Sequence, residues 1–346
     1  MHNGLLFKAA LVCLAAGMMT GQTGRGSLTG TVTDPTGSSV PGAAISAKHV
    51  ATGTAFKAET SSGGVFTLPE LPFGQYTVAV TKSGFQTAES TNVIISANQV
   101  TRFDLTLSVG NVQQAVQIEA VAPLLQQDSS TVQTNFTTKQ VLELPLSLGA
   151  FGLRSAEAFT FLTPGVVGDQ FLTSINGGQT FSNEVLIDGG SAGRGWAPGN
   201  ADESAPSVDA IGEFTIKTNN FSAEYGHTGS AITSFVLKSG TNNYHGTAYE
   251  FLRNEAFNAF GFYRQANFDR KHDFGGTLGG PVWIPKIYNG RDKTFFFFSY
   301  EHTRADEKFL GSPRVVPTAA QRQGDFSELL RLQNPTIIHD PLTGLP

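Results

Sequence analysis

Cysteine is nearly missing from this chain: it occurs once, at Cys13, among 346 residues. If the N-terminal stretch that carries it is removed on export, disulfides and thiol chemistry are excluded. Charge is also scarce, at 15% of residues, with a net charge of −5 and a pI of about 5.8. No basic arm or stripe stands out, so nothing recommends a nucleic-acid partner. The seven histidines, His227, His245, His272 and His302 among them, are scattered without metal spacing, and no H-E-x-x-H pair occurs. A long hydrophobic run is missing too. The apolar stretch Ala9 to Met19 falls well short of the ~20 residues a membrane-spanning helix needs.

That short run does suit a secretory leader. Lys8 precedes it, and small residues between Gly17 and Gly26 offer a cleavage point, so residues 1–25 are expected to be a signal peptide. A buried N-terminal strand or helix is the alternative. A lipoprotein signal at Cys13 is disfavoured because Val12 before it is bulky. What the chain has in abundance is glycine, 39 residues of it, and with serine and threonine it favours turns and β-structure in the first half.

From Leu28 to Leu107, seven short runs alternate with turn clusters: LTGTVTD, AAISAKHV, TAFKAETS, VFTLPEL, QYTVAVTK, TNVIISA and TRFDLTLS, separated by DPTGSSVPG, SSGG, PFG and KSGF. Tyr76, Val78 and Val80 alternate with Thr77, Ala79 and Thr81. Seven strands at this spacing predict an antiparallel sandwich. The residues Gly30, Asp34, Gly37, Pro41, Gly42, Gly64, Phe66, Leu68, Leu71, Gly74, Tyr76, Gly84 and Phe85 follow one another as in the carboxypeptidase regulatory-like domain, and residues 26–109 resemble it. The resemblance implies a transthyretin-like, carbohydrate-binding-like fold that serves as an accessory rather than as a peptidase.

Beyond Leu107 the chain becomes linker-like. Within it Ala115, Val116, Gln117, Ile118, Glu119 and Ala120 form a β-prone run that resembles the box offered by TonB-dependent outer-membrane receptors to the periplasmic protein TonB. Strand addition needs few fixed side chains, because backbone hydrogen bonds supply the affinity. An ordinary linker strand is the alternative for so short a run. TTKQVLELPL then suggests a short helix capped by Thr137 or Thr138. Leu144-Pro145, Thr163-Pro164-Gly165, Ile175-Asn176-Gly177, Ile187-Asp188-Gly189, Ile211 with Glu213, Tyr225-Gly226 and Gly229 follow in an order that resembles the plug domain of the same receptors, in particular the Oar-like type. An α+β plug is therefore expected over residues 110–228.

Two strings in the sequence are enzyme-like. Gly189 to Gly193 spells G-x-S-x-G after an apolar strand, but a nucleophile elbow must run into a helix, and GRGWAPGN with three glycines and Pro198 cannot form one. Asp273-Phe274-Gly275 spells a kinase metal motif without the H-R-D segment that should precede it. No catalytic residues and no cofactor are indicated.

From Gly229 to Pro346, four candidate barrel strands appear: SAITSFVLKSG, YHGTAYEFLRN, HDFGGTLGGPVW and KTFFFFSYEHTR. Tyr249 and Phe251 share one face of the second; Phe274, Leu278 and Val282 share one face of the third. Apolar residues opposite small or polar ones suit strands between lipid and a wet lumen. In the fourth, Phe296, Phe298 and Tyr300 are expected to meet lipid while Phe295 and Phe297 turn inward. Four strands cannot close a barrel of about 22, so the expectation is the N-terminal part of a longer or truncated receptor, with residues 229–346 as its first barrel strands.

The class expected is mainly β: a seven-stranded transthyretin-like sandwich, an α+β plug and the first strands of a transmembrane barrel. The resemblance implies outer-membrane location, TonB and lipid as partners, and energised uptake of a scarce, bulky external ligand. Arg194 and Trp196, in GGSAGRGWAPGN, are the candidate ligand contacts. A secreted or surface module binding carbohydrate is the alternative, and an exported enzyme the poorest.

Overall fold

The computed structural model describes residues 24–110, 115–117, 129–144, 154–169, 172–195, 197, 199, 204–257, 259, 268–307, 316–331, 337 and 339–345. The first part is the sandwich. Its strands are β1 (Gly26–Thr33), β2 (Ala44–His49), β3 (Ala55–Glu59), β4 (Val65–Leu71), β5 (Gly74–Thr81), β6 (Thr87–Ile95), β7 (Val100–Arg102) and β8 (Leu105–Thr106). One sheet runs β4-β1-β7 with β8 also on β1; the other runs β3-β2-β5-β6 and gains β9 (Ala115–Gln117) at its edge. The expected alternation decides the core: Tyr76, Val78 and Val80 are buried against Leu28, Val32, Ile45, Phe66, Leu71 and Ile95. The buried Tyr76 hydroxyl donates to Pro72 O at 2.7 Å, so its polar end is satisfied. Gly74 has φ 139°, and a Cβ there would collide with the His49 ring.

The sandwich differs from the antiparallel expectation at two edges. β1 pairs in parallel with β7 and β8, and β6 pairs in parallel with β9. After β6 the chain turns through Asn98, at φ 57°, and crosses to the other sheet, where it runs alongside β1 in the same direction. The last expected run is split into β7 and β8 because Asp104 Oδ1 accepts the Thr31 N–H between them, at 2.9 Å.

The plug follows. β10 (Val132–Thr137) leads into helix α1 (Thr138–Glu143), whose start is the expected one: Thr137 Oγ1 accepts the Gln140 N–H, and Gln140 Oε1 accepts the Thr137 N–H. Then come β11 (Val166–Val167), β12 (Ser174–Ile175), β13 (Glu184–Ile187), β14 (Gly190–Ser191), β15 (Ile211–Asn219) and β16 (Ile232–Leu237). β11 and β12 form a hairpin; the main sheet is ordered β10-β15-β16-β13-β14. Phe136, Phe159, Phe214 and Phe235 meet on it, with Phe214 and Phe235 stacked at 4.8 Å between centroids.

One expectation is corrected here. SAITSFVLKSG is expected to be the first barrel strand, but its core, β16, is a central plug strand between β15 and β13. Its residues Ile232 to Val236 are consecutively buried, which fits a strand covered on both faces.

The remaining strands are β17 (His245–Asn254), β18 (Asp269–Pro281), β19 (Trp283–Ile284), β20 (Tyr288–Asn289) and β21 (Phe295–Glu307). β17, β18 and β21 form one sheet in that order, and β19 and β20 form a hairpin between the last two. The chain divides into two units, Met1–Leu252 with Lys271–Arg304, and Arg253–Arg270 with Ala305–Pro346. Within the second, Arg253 pairs with Asp269 at 2.9 Å and Arg270 grips Glu255 at 2.8 Å; its short helix α2 (Ala319–Arg322) is capped by Thr318.

Candidate functional site: a plug held by the sandwich and by the wall

The segment expected to face TonB is only partly described. Ala115, Val116 and Gln117 form β9, registered in parallel on Thr87, Ala88 and Glu89 of β6, while Ile118, Glu119 and Ala120 lie outside the described residues. The chain is guided to that position along the same edge. Gln86 N donates to Ser108 O at 2.9 Å, Phe85 bridges Val109, and Gly110 N donates to Gly84 O at 3.2 Å.

Of the two ligand-contact candidates, Arg194 is half-buried and bridges Ala197, whose N–H donates to Arg194 O at 3.0 Å. Trp196 lies outside the described residues, so the two are not seen brought together. Just before them, β13 and β14 form a tight hairpin. Ile187 faces Gly190 across Asp188 and Gly189, whose φ values are 48° and 82°. Strand-turn-strand replaces the strand-turn-helix a nucleophile elbow requires. Asp188 ties the hairpin to β16: its Oδ1 accepts the Leu237 N–H at 3.0 Å, and burial raises its carboxyl above the usual range.

The sandwich meets the plug directly after β6. Ala97 N donates to Glu213 Oε2 on β15, Asn98 Nδ2 donates to Ser234 Oγ on β16 at 3.3 Å, and Asn135 Nδ2 donates to Gln99 Oε1 at 3.0 Å. The Phe73 ring lies so close over Gly212 that a Cβ there would sit 2.3 Å from it. Burial pushes the Glu213 carboxyl up to about 7, against the opposing pull of hydrogen bonds from Ala97 and Ser96. Beside this junction a cleft of about 530 Å³ is lined by Asn98, Glu184, Ser191, Glu224, His227 and Ser234, among others. Tyr225, singled out in the sequence for its place before Gly226, accepts from Lys217 Nζ at 2.7 Å and offers its ring face to the same ammonium. Sequence reasoning placed Glu213 on its strand but missed its role. The available signal was a lone carboxylate in IGEFTIKT, where every residue is buried.

On its other side the plug meets β17. Arg154 pairs with Asp209 at 2.7 Å and lies over the rings of Tyr249 and Phe251, at 5.3 and 4.3 Å. Ser207 Oγ and Tyr249 OH are 2.9 Å apart, and Tyr249 OH donates to Glu301 of β21 at 2.7 Å. Lys238 Nζ donates to Asp209 O at 2.8 Å. These contacts reverse the expected facing of β17. Tyr249 and Phe251 turn to the plug because the phenol needs hydrogen-bond partners and the guanidinium needs rings. Glu250 points the other way, 3.1 Å from His272. β18 keeps the expected facing: Phe274 and Leu278 are exposed while Asp273 and Thr277 are buried. In β21, Phe298 and Tyr300 are exposed and Glu301 faces inward, again as expected.

Comparison with known proteins agrees with these parts. Residues 27–108 match the carboxypeptidase regulatory-like domain, and residues 236–346 match an outer membrane beta barrel domain, whose start falls at the end of β16. The TonB-dependent transporter Oar of Myxococcus xanthus is 26% identical over 260 residues, which cover 71% of this chain and 24% of that protein. The chain thus spans about a quarter of the length of this relative. Among solved structures, the siderophore receptor PirA from Acinetobacter baumannii aligns over 43% of this chain and 22% of its own, at 18% identity and a TM-score of 0.33. A pilus 2b backbone protein from group B streptococcus aligns over 25% and 42%, at 18% identity and 0.21. Both scores are too low to establish a shared fold. The chain is thus similar to the TonB-dependent transporter Oar, and it carries a carboxypeptidase regulatory-like domain ahead of a stretch matching an outer membrane beta barrel domain.

Proposed function

We propose that the chain works as part of a TonB-dependent outer-membrane receptor that imports a scarce, bulky ligand. The observation that carries this reading is the two-sidedness of the last sheet. One face of β17 is bonded to the plug through Tyr249, Thr247 and the Arg154 cluster, while β18 and β21 present Phe274, Leu278, Phe298 and Tyr300 away from it. A strand wall with a polar, plug-facing side and an apolar outer side is what a plugged barrel requires.

In this reading residues 1–25 direct export, residues 26–109 are the accessory sandwich, and the plug and barrel together admit the ligand. Ala115–Ala120 offers TonB a strand, and the loop bearing Arg194 and Trp196 contacts the ligand. No bond in the ligand is made or broken; force relayed by TonB displaces the plug. The Arg154–Asp209–Tyr249–Glu301 network is then the set of contacts that has to yield when the plug moves.

The test is an immunoblot of outer-membrane fractions with antibody to residues 26–109, with and without boiling. A membrane-bound band that changes mobility on heating is expected of a closed barrel. A soluble band near 36.7 kDa with no heat shift would overturn the receptor reading and leave a secreted binding module, carbohydrate being the ligand class its sandwich suggests.

A further inference from the structure

We propose that the β19–β20 hairpin, with Arg291 and Lys293 at its base, binds anionic phospholipid at the periplasmic surface of the outer membrane. It is then an interfacial anchor for this part of the wall, separate from the strands that cross the bilayer. The proposal names a lipid partner for the barrel and rests on the receptor reading.

Every residue from Trp283 to Asn289 is exposed, and Trp283, Ile284, Ile287 and Tyr288 among them are large and apolar. Trp283 is 60% exposed and Ile287 81%. Ile284 pairs with Tyr288 and Trp283 with Asn289, so Ile284 and Tyr288 share one face while Trp283 lies on the other. A packed protein partner covers one face of a hairpin. Apolar side chains on both faces suit a medium that surrounds it, as lipid does. The display is held firmly in place. Val282 N donates to Thr294 O at 2.9 Å, Gly290 N donates to Val282 O at 2.8 Å, and the Tyr288 and Thr294 hydroxyls are 2.6 Å apart. At the tip Pro285 fixes its own φ, Lys286 turns the chain at φ 63°, and Ile287 N donates to Ile284 O at 3.1 Å.

Charge selects the lipid. Lys286 at the tip and Arg291 and Lys293 at the base are exposed, and among the described residues their side chains make no ion pair or hydrogen bond. The acid between the last two, Asp292, is taken by Asn242, whose Nδ2 donates to its Oδ1 at 2.7 Å. Tryptophan and tyrosine settle at headgroup depth, and lysine and arginine reach from there to the phosphates. Each cation near an anionic membrane surface favours binding by about fivefold. The hairpin joins β18 to β21, whose exposed Phe274, Leu278, Phe298 and Tyr300 make the face read as lipid-facing. Asn242 also donates its N–H to Ala51 O of the sandwich at 2.9 Å, so the hairpin stands at the sandwich end of the wall. The β16–β17 connection at that end is short and the β17–β18 connection at the other end is long, as periplasmic turns and external loops are.

Trp283 is its own probe, because Trp196 is the one other tryptophan in the chain. The full chain carrying Trp196→Phe is inserted into vesicles of phosphatidylcholine and phosphatidylglycerol, and insertion is checked by protection of β21 from added protease. The acyl chains of one lipid or the other are brominated, and quenching of Trp283 fluorescence is read. The expected result is a blue-shifted emission quenched at least about threefold more by brominated phosphatidylglycerol than by the same fraction of brominated phosphatidylcholine. Replacing the three cations together, Lys286→Gln, Arg291→Gln and Lys293→Gln, should abolish that preference while β21 stays protected. Water-like emission without quenching, in a chain whose β21 is protected, overturns the anchor alone and leaves the hairpin in the periplasm. Equal quenching by the two lipids, or a preference that survives the triple substitution, overturns the anionic-headgroup site. If β21 is not protected, the receptor reading itself has failed and the anchor falls with it.

Discussion

Glu213 sits in an environment that its type does not prefer. It is 7% exposed, the only carboxylate in β15, and its carboxyl is pushed up to about 7. A carboxyl raised from its unfolded value near 4.5 binds more protons folded than unfolded across that interval. Stability is therefore fullest at acid pH and falls as pH rises from about 4.5 to about 7, by on the order of 3 kcal/mol in total. Glu213→Gln keeps an acceptor for the Ala97 N–H and has no proton to lose. Thermal unfolding of the detergent-solubilised chain should lose most of its slope between pH 5 and 7 in this variant, and an unchanged slope would assign the effect elsewhere. Arg154 presents the opposite case, a buried charge with partners. Arg154→Ala leaves Asp209, itself 7% exposed, without its ion pair and strips the cation from Phe251; the expected destabilisation is about 3–5 kcal/mol. Denaturant titration measures it, and a loss below about 1 kcal/mol would mean the pair is no clamp. Neither residue was singled out for such a role from its sequence neighbourhood, because each depends on a partner far away in the chain: Ala97 for Glu213, and Asp209 and Phe251 for Arg154.

At the scale of elements, periodicity succeeded where one face of a strand meets a core. The alternation in QYTVAVTK, the cap before KQVLEL and the two-sided character of FFFFSYEH are all realised. It failed for β16 and for the facing of β17. A run such as ITSFVL reads alike in a barrel wall and in a central plug strand, since both surroundings accept apolar residues on consecutive positions. Tyr249 and Phe251 read as lipid-facing because aromatics are apolar by composition, yet a phenol bonded to Ser207 and Glu301 and a ring under Arg154 are better served inward. A substitution in β21 tests its outer face. Phe298→Arg, on the exposed face, should destabilise the lipid-inserted state by about 2–4 kcal/mol if that strand lies near the bilayer midplane. Insertion into phospholipid vesicles, followed by the heat-dependent mobility shift, reads this out. Insertion as efficient as that of the unsubstituted chain would mean that this face does not meet lipid. In the plug, Phe214→Ala should cost about 3–5 kcal/mol, because the ring is fully buried among Phe136, Phe159 and Phe235.

For the molecule as a whole, the contact between sandwich and plug carries the mechanical argument. Gly212 admits the Phe73 ring at a distance no side chain would allow. Gly212→Val should therefore push the sandwich off the plug without touching either core, and limited proteolysis should then release a sandwich-sized fragment faster than from the unsubstituted chain. Equal rates would show that the junction does not depend on this approach. The amino-acid sequence by itself determined the order of the parts and much of their local form: turns where glycine, asparagine and proline set φ, strands where apolar residues alternate, a helix start where Thr137 and Gln140 cap one another. These are short-range effects, written within a few residues of where they act. Only the tertiary structure decided that β1 has parallel neighbours, that β16 belongs to the plug, that Tyr249 faces inward, and that β6 pairs with β9 near its start and leads directly into the plug contacts of Ala97 and Asn98 at its end. Each of those outcomes depends on pairing between strands distant in the chain, where backbone hydrogen bonds are satisfied equally well by many partners and long-range packing alone selects among them.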